Sequence, residues 1–237
     1  MIDNLIILFF GWLLGLLAPA INDKIKNNRE LTNAYATIKS ELNEVAFRLV
    51  LASFYAAKHL GKADQEFLKW VKDSLVLYQG NERTENVTRL VEQLLKLKTE
   101  ELAHWNASNA AKELNAMILV KFAVPFVDAR VNAFHQMASM VQIQLLSIRS
   151  DVRLLDDLVD QSRTYFHLTF DKLEGTNYAI VVENLRGVYS HYMERCRIAA
   201  ERIHNLQSVL KKLLCQELHT KSAQVNPLRT APSIVAG

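Results

Sequence analysis

Residues 127–173, VDARVNAFHQMASMVQIQLLSIRSDVRLLDDLVDQSRTYFHLTFDKL, decide the fold. Val127, Val131, Phe134, Ala138, Val141, Leu145, Ile148, Val152, Leu155, Val159, Ser162, Phe166, Thr169 and Leu173 recur at alternating spacings of four and three, with two hydroxyl residues as the only interruptions. An α-helix gathers such positions onto one stripe, so the spacing predicts a single long helix with a heptad seam. Glu174-Gly175-Thr176-Asn177 then supplies a C′ glycine and capping residues. The seam resumes at Val182, Leu185, Tyr189, Tyr192, Cys196, Ala199, Ile203, Leu206, Leu210 and Leu213. Two long seams joined by so short a turn predict an antiparallel helical hairpin over 124–219.

Toward the N-terminus the same spacing links Leu31, Tyr35, Ile38, Leu42, Val45, Leu49, Ala52 and Ala56 in a first long helix within 22–60. Gly61 is a stop and Asp64 an N-cap for a short amphipathic helix carrying Phe67, Val71, Leu75 and Tyr78. Gly80 ends that helix, and residues 81–84 read as a loop capped by Thr84. Residues 85–123 are helical by composition, completing a segment 61–123. The seam begun by Leu90, Leu94 and Leu97 runs into Glu101, His104, Ser108 and Asn115, which predicts a phase shift or a polar core layer built on Glu101 and His104. Pro125 should end or kink this helix. The tail 220–237, with Pro227 and Pro232, reads as flexible.

Composition agrees with an all-α chain. Of 237 residues, 50% are apolar, which provides a substantial core, while only seven Gly and four Pro leave few tight turns for a sheet protein.

Leu5 to Ile21 contains no charged residue and is long enough, at the short end, to span a bilayer as a helix. Residues 1–21 are therefore expected to form a single transmembrane anchor. Ala18-Pro19-Ala20 has the small-x-small form of a signal-peptide cleavage site, but the preceding Met-Ile-Asp-Asn lacks the positive charge such a peptide needs. Lys24, Lys26 and Arg29 follow the span, so the bulk of the chain is expected on the cytoplasmic side. Gly11 and Gly15 form a small-xxx-small pair that would let two anchors pack closely. Cys196 and Cys215, about 28 Å apart along one helix at 1.5 Å per residue, cannot pair with each other and suit a reducing compartment.

A net charge of +3 with no basic run argues against nucleic acid as a partner. Glu101 with His104 and Glu201 with His204 resemble halves of the di-iron sites of ferritin-like bundles. With seven His in the chain, chance supplies such pairs, and Glu201 lies about 200° around the helix from seam residue Ile203. Asp156, Asp157 and Asp160 read as a solvated face. There is no phosphate loop, nucleophile elbow or Cys-x-x-Cys motif, so no catalysis, cofactor or metal is expected.

The function expected is that of a membrane-anchored cytoplasmic scaffold or sensor that forms homo-oligomers and binds a protein partner. The alternative is a membrane-perturbing effector of the toxin or defence type; a ferritin-like metalloenzyme stands third. If the chain reverses at Pro125, the apolar stretch Met117–Val127 would meet the bilayer surface through Phe122 and Phe126, with Lys121, Lys211 and Lys212 beside the headgroups of the lipid bilayer.

Overall fold

The computed structural model describes residues 2–80, 82–110, 117–129, 137–171 and 175–225. Within its helices, the side chains of residues 2–11, 13, 14, 16, 17, 20, 21, 175, 176 and 216–225 lie outside that description. Among the described residues every regular element is a helix: α1 Ile2–Leu60, α2 Gln65–Leu77, α3 Glu85–Leu95, α4 Thr99–Asn109, α5 Pro125–Ala129, α6 Ser139–Leu168 and α7 Gly175–Val225. The chain forms two compact units. The described parts of Met1–Ile38 and Leu210–Gly237 make one, and Lys39–Val209 makes the other.

The heptad seams are the core. Tyr35, Ile38, Leu42, Val45, Leu49 and Ala56 of α1 are buried, as are Leu185, Tyr189, Tyr192, Cys196, Ala199, Ile203, Leu206 and Leu210 of α7. On α6 the buried row is Val141, Leu145, Ile148, Val152, Leu155, Val159 and Ser162. Within the second unit α6 and α7 run antiparallel, since Asp151 of α6 meets Arg202 of α7 while Leu154 to Gln161 lie beside His191 to Ile198. The α1–α7 pairing is antiparallel too: Ser53 Oγ donates to the Met193 carbonyl at 2.9 Å, and His59 packs edge-on against Tyr189.

α1 stops where the glycine requires. Gly61 has φ +64°, its N–H reaches the Lys58 carbonyl, and the Lys62 N–H reaches Ala57, which together close the last turn with a left-handed cap. A Cβ at Gly61 would stand 2.9 Å from the Asn106 carbonyl, so α4 can lie against this corner. There the Asn106 amide brackets the Ala63 backbone, donating to its carbonyl and accepting from its N–H. Asp64 caps α2 as expected, accepting from the Phe67 N–H at 2.7 Å. Thr84 occupies the N-cap of α3 but its side chain makes no capping bond.

Three expectations need correction. Residues 85–123 are not one helix: α3 and α4 are separate, and residues 117–124 form a strap without regular secondary structure. The strap buries Leu119, Phe122 and Val124, leaves Ile118 and Val120 exposed, and obtains backbone partners from side chains rather than a helical ladder. Pro125 neither ends nor kinks a helix here. It begins α5, and the Glu41 carboxylate accepts from the Phe126 and Val127 N–H groups at 2.8 and 3.1 Å, satisfying donors that a first turn leaves free. Finally, α6 starts at Ser139, beyond an exposed Ala138, rather than continuing from Val127. Gly175 begins α7 instead of ending α6; Val131, Phe134, Leu173 and Glu174 lie outside the described residues.

Candidate functional site: the outer face of the α6–α7 hairpin

α6 carries two apolar stripes. The first is the buried seam. The second lies across the helix, where Ile143 is about 200° from Val141 at 100° per residue. Here Met140, Ile143, Leu146 and Leu154 are 60%, 65%, 48% and 42% exposed. Ser147 and Ser150 sit between them. Toward α7 the stripe opens into a groove of about 500 Å³, where Leu154, Leu158 and Ile198 provide apolar surface and Asp157, Gln161, His191, Glu194 and Arg195 provide polar groups of both charges.

Beneath this face Asp151 is buried with its Oδ2 2.9 Å from a guanidinium nitrogen of Arg202. Burial pushes its carboxyl above the usual range, an effect opposed by Arg202 and then Arg195. The heptad pattern gives no sign of Asp151, because it adjoins Val152 on the stripe and reads as one more flanking charge.

The strap lies across the hairpin and is held by polar side chains. Tyr192 Oη donates to the Val120 carbonyl at 2.8 Å and accepts from its N–H, while Tyr189 Oη accepts from the Met117 N–H. Asp156 accepts from the Phe122 N–H and Asp160 pairs with Lys121 at 2.6 Å. Two of the three aspartates read as a solvated face are therefore fasteners. Burial pushes the Tyr192 hydroxyl far above the ordinary tyrosine range, reinforced by Cys196, so it remains a donor.

The residues expected at headgroups divide differently. Phe122 is only 7% exposed, with its ring 6.5 Å from that of Tyr192, a core position rather than a membrane-facing one. Phe126 is half-buried at the start of α5, and Lys121 is engaged by Asp160. Lys24, Lys26, Arg29, Lys211 and Lys212 are all exposed and belong to the same compact unit. Among the described residues no helix is long and apolar enough to cross a membrane. Most side chains of the expected anchor, Gly11 included, lie outside those residues; α1 continues through Pro19, and Gly15 is exposed.

Glu101 and His104 form no polar core layer, since both are exposed. Glu101 accepts from the Lys98 N–H at 2.8 Å, acting as a cap at the start of α4. In the second pair Glu201 holds Arg197 at 3.1 Å, and burial lowers the pKa of His204, opposed by Glu201. Among the described residues no group of three or more His, Cys, Asp or Glu could hold a metal. Cys196 is buried and Cys215 exposed, both free, and burial pushes the Cys196 thiol well above its usual range. Comparison with protein-family models, curated proteins and solved structures finds no match to this chain.

Proposed function

We propose that the chain is a membrane-tethered helical scaffold that self-associates through the outer face of α6. The observation that carries this reading is the second apolar stripe, Met140, Ile143, Leu146 and Leu154, left open to solvent opposite a fully formed core. A helix that has already buried one stripe gains nothing within its own fold from another, and exposed apolar rows of this kind mark association surfaces. A second copy suits it. Small Ser147 and Ser150 lie between the larger side chains, and the adjoining groove carries both charge signs, as a self-complementary two-fold contact requires.

Tethering is supported by the uncharged run Leu5 to Ile21 followed by Lys24, Lys26 and Arg29. Lys211 and Lys212, exposed in the same unit, add charges that anionic headgroups attract by about 1 kcal/mol each. The test is self-crosslinking in intact membranes, with Ile143→Cys in a Cys215→Ser background. Mild oxidation should give a disulfide-linked dimer, and adding Leu146→Asp should remove it. Failure of the Ile143→Cys chain to crosslink would overturn self-association through α6.

A further inference from the structure

At the end of α1, next to the α6–α7 groove with which it shares His191, the second unit contains an open cleft of about 520 Å³ with an unusual lining. His59 and Lys62 approach it from the α1 terminus, and Arg186, Gly187, Ser190 and His191 from α7. Glu183 is the one carboxylate among its lining residues. A guanidinium and an ammonium thus line one space with a single carboxylate to offset them, and two imidazoles add hydrogen-bonding nitrogens. Lys62 Nζ donates to Ser190 Oγ at 2.9 Å, and among the described residues neither Arg186 nor His191 has an ion-pair partner. The field inside is felt by His59, whose pKa is lowered first by burial and then by the positive charge of Arg186.

Gly187 is a second, independent sign. It lies inside α7, where glycine is among the least favourable residues, and a Cβ built there would meet nothing within 4 Å. Packing does not account for its small size. What it does is leave the cavity wall bare.

We propose that this cavity binds a small phosphate-bearing molecule, its phosphate held by Arg186, Lys62 and His191. A phosphate presents several acceptor oxygens to donors arriving from different sides, and a planar guanidinium fork with a mobile ammonium meets that demand better than it meets a single carboxylate. The volume lies within the range of about 300–1,000 Å³ typical of small-molecule sites, leaving room beyond one phosphate for an organic portion next to Leu60. A dissolved molecule and a lipid headgroup offer this same phosphate chemistry, and competition between them tells the two sources apart.

The experiment is calorimetric titration of the full chain, reconstituted in phosphatidylcholine vesicles, with inorganic pyrophosphate. Saturable binding at one site per chain is expected. Arg186→Ala and Lys62→Ala should each weaken it at least about tenfold, the scale of one lost charged hydrogen bond. Gly187→Phe should abolish it by filling the space while circular dichroism shows unchanged helicity, since phenylalanine is the better helix former. Lys72→Ala, which removes an ammonium paired with Glu92 outside the cavity, should bind as the original does. Absence of binding, or binding indifferent to Gly187→Phe, overturns the site. If phosphatidic acid in the same vesicles displaces pyrophosphate in a Gly187-dependent way, the headgroup is the source; without such displacement it is the dissolved molecule.

Discussion

Tyr192 connects core to strap with one hydroxyl. It satisfies both the N–H and the C=O of Val120, and its ring stays buried against Phe122. Tyr192→Phe would keep the ring and orphan two backbone groups, so unfolding in urea should show a loss of about 1–3 kcal/mol. No measurable loss would mean that water replaces the hydroxyl and the clamp is dispensable. His59 and His204 give a pH-dependent counterpart. Burial lowers both pKa values below the ordinary value of about 6.5. As pH falls through 6.5 the unfolded chain takes up protons at these two positions that the folded chain refuses, so both histidines withdraw stability on acidification. The melting temperature should be lower at pH 5.5 than at pH 7.5, and the His59→Gln/His204→Gln double variant should flatten that slope. Asp151, common to both proteins, cancels from the comparison. The roles of such residues could not be read beforehand: Lys121 and Phe122 look like a snorkelling pair in one dimension, and only the partners Asp160 and Tyr192, far along the chain, give them their roles.

At the level of elements, legibility followed periodicity. The α1 and α7 seams were readable because a row of buried residues recurs at heptad spacing on each, although Phe47, Val50 and Phe54 of α1 are buried beside that row; the Gly61 and Asp64 boundaries were readable because a left-handed cap and an N-cap have local chemistry. The α6 seam was readable in phase but not in extent. Its pattern extrapolates smoothly back to Val127, while Ala138 is exposed and α5 is a separate short turn. Composition cannot distinguish an apolar strap from an apolar helix when the strap's hydrogen bonds come from residues about seventy positions away. α5 illustrates the point, since its cap is Glu41 from α1. Glu41→Ala should cost about 1 kcal/mol, as loss of an N-cap does, and speed hydrogen exchange at the Phe126 and Val127 amides. Exchange unchanged at both amides would show that α5 stands without α1.

For the whole molecule, an all-helical chain with buried heptad seams was legible, and the exposed second stripe of α6 was not. A second apolar stripe on α6 appears in the sequence as excess hydrophobicity, and only burial separates the stripe that is used from the one left open. The proposed topology has a direct check. Cys196 is buried and reports nothing, but Cys215 is exposed. A membrane-impermeant maleimide should leave Cys215 unmodified in intact cells and label it after lysis. Labelling before lysis would place the α7 end outside and reverse the orientation.

The strap also imposes an order on biosynthesis. Met117 and Val120 bond to tyrosines 72 residues further along. At a synthesis rate of about 5–20 residues per second, those tyrosines follow about 4–14 s later. Throughout that interval Leu119, Phe122 and Val124 have no α7 to lie against, although α1 through α4 are already complete. The nascent chain therefore exposes this short apolar segment until α7 emerges, and the bundle cannot close before then.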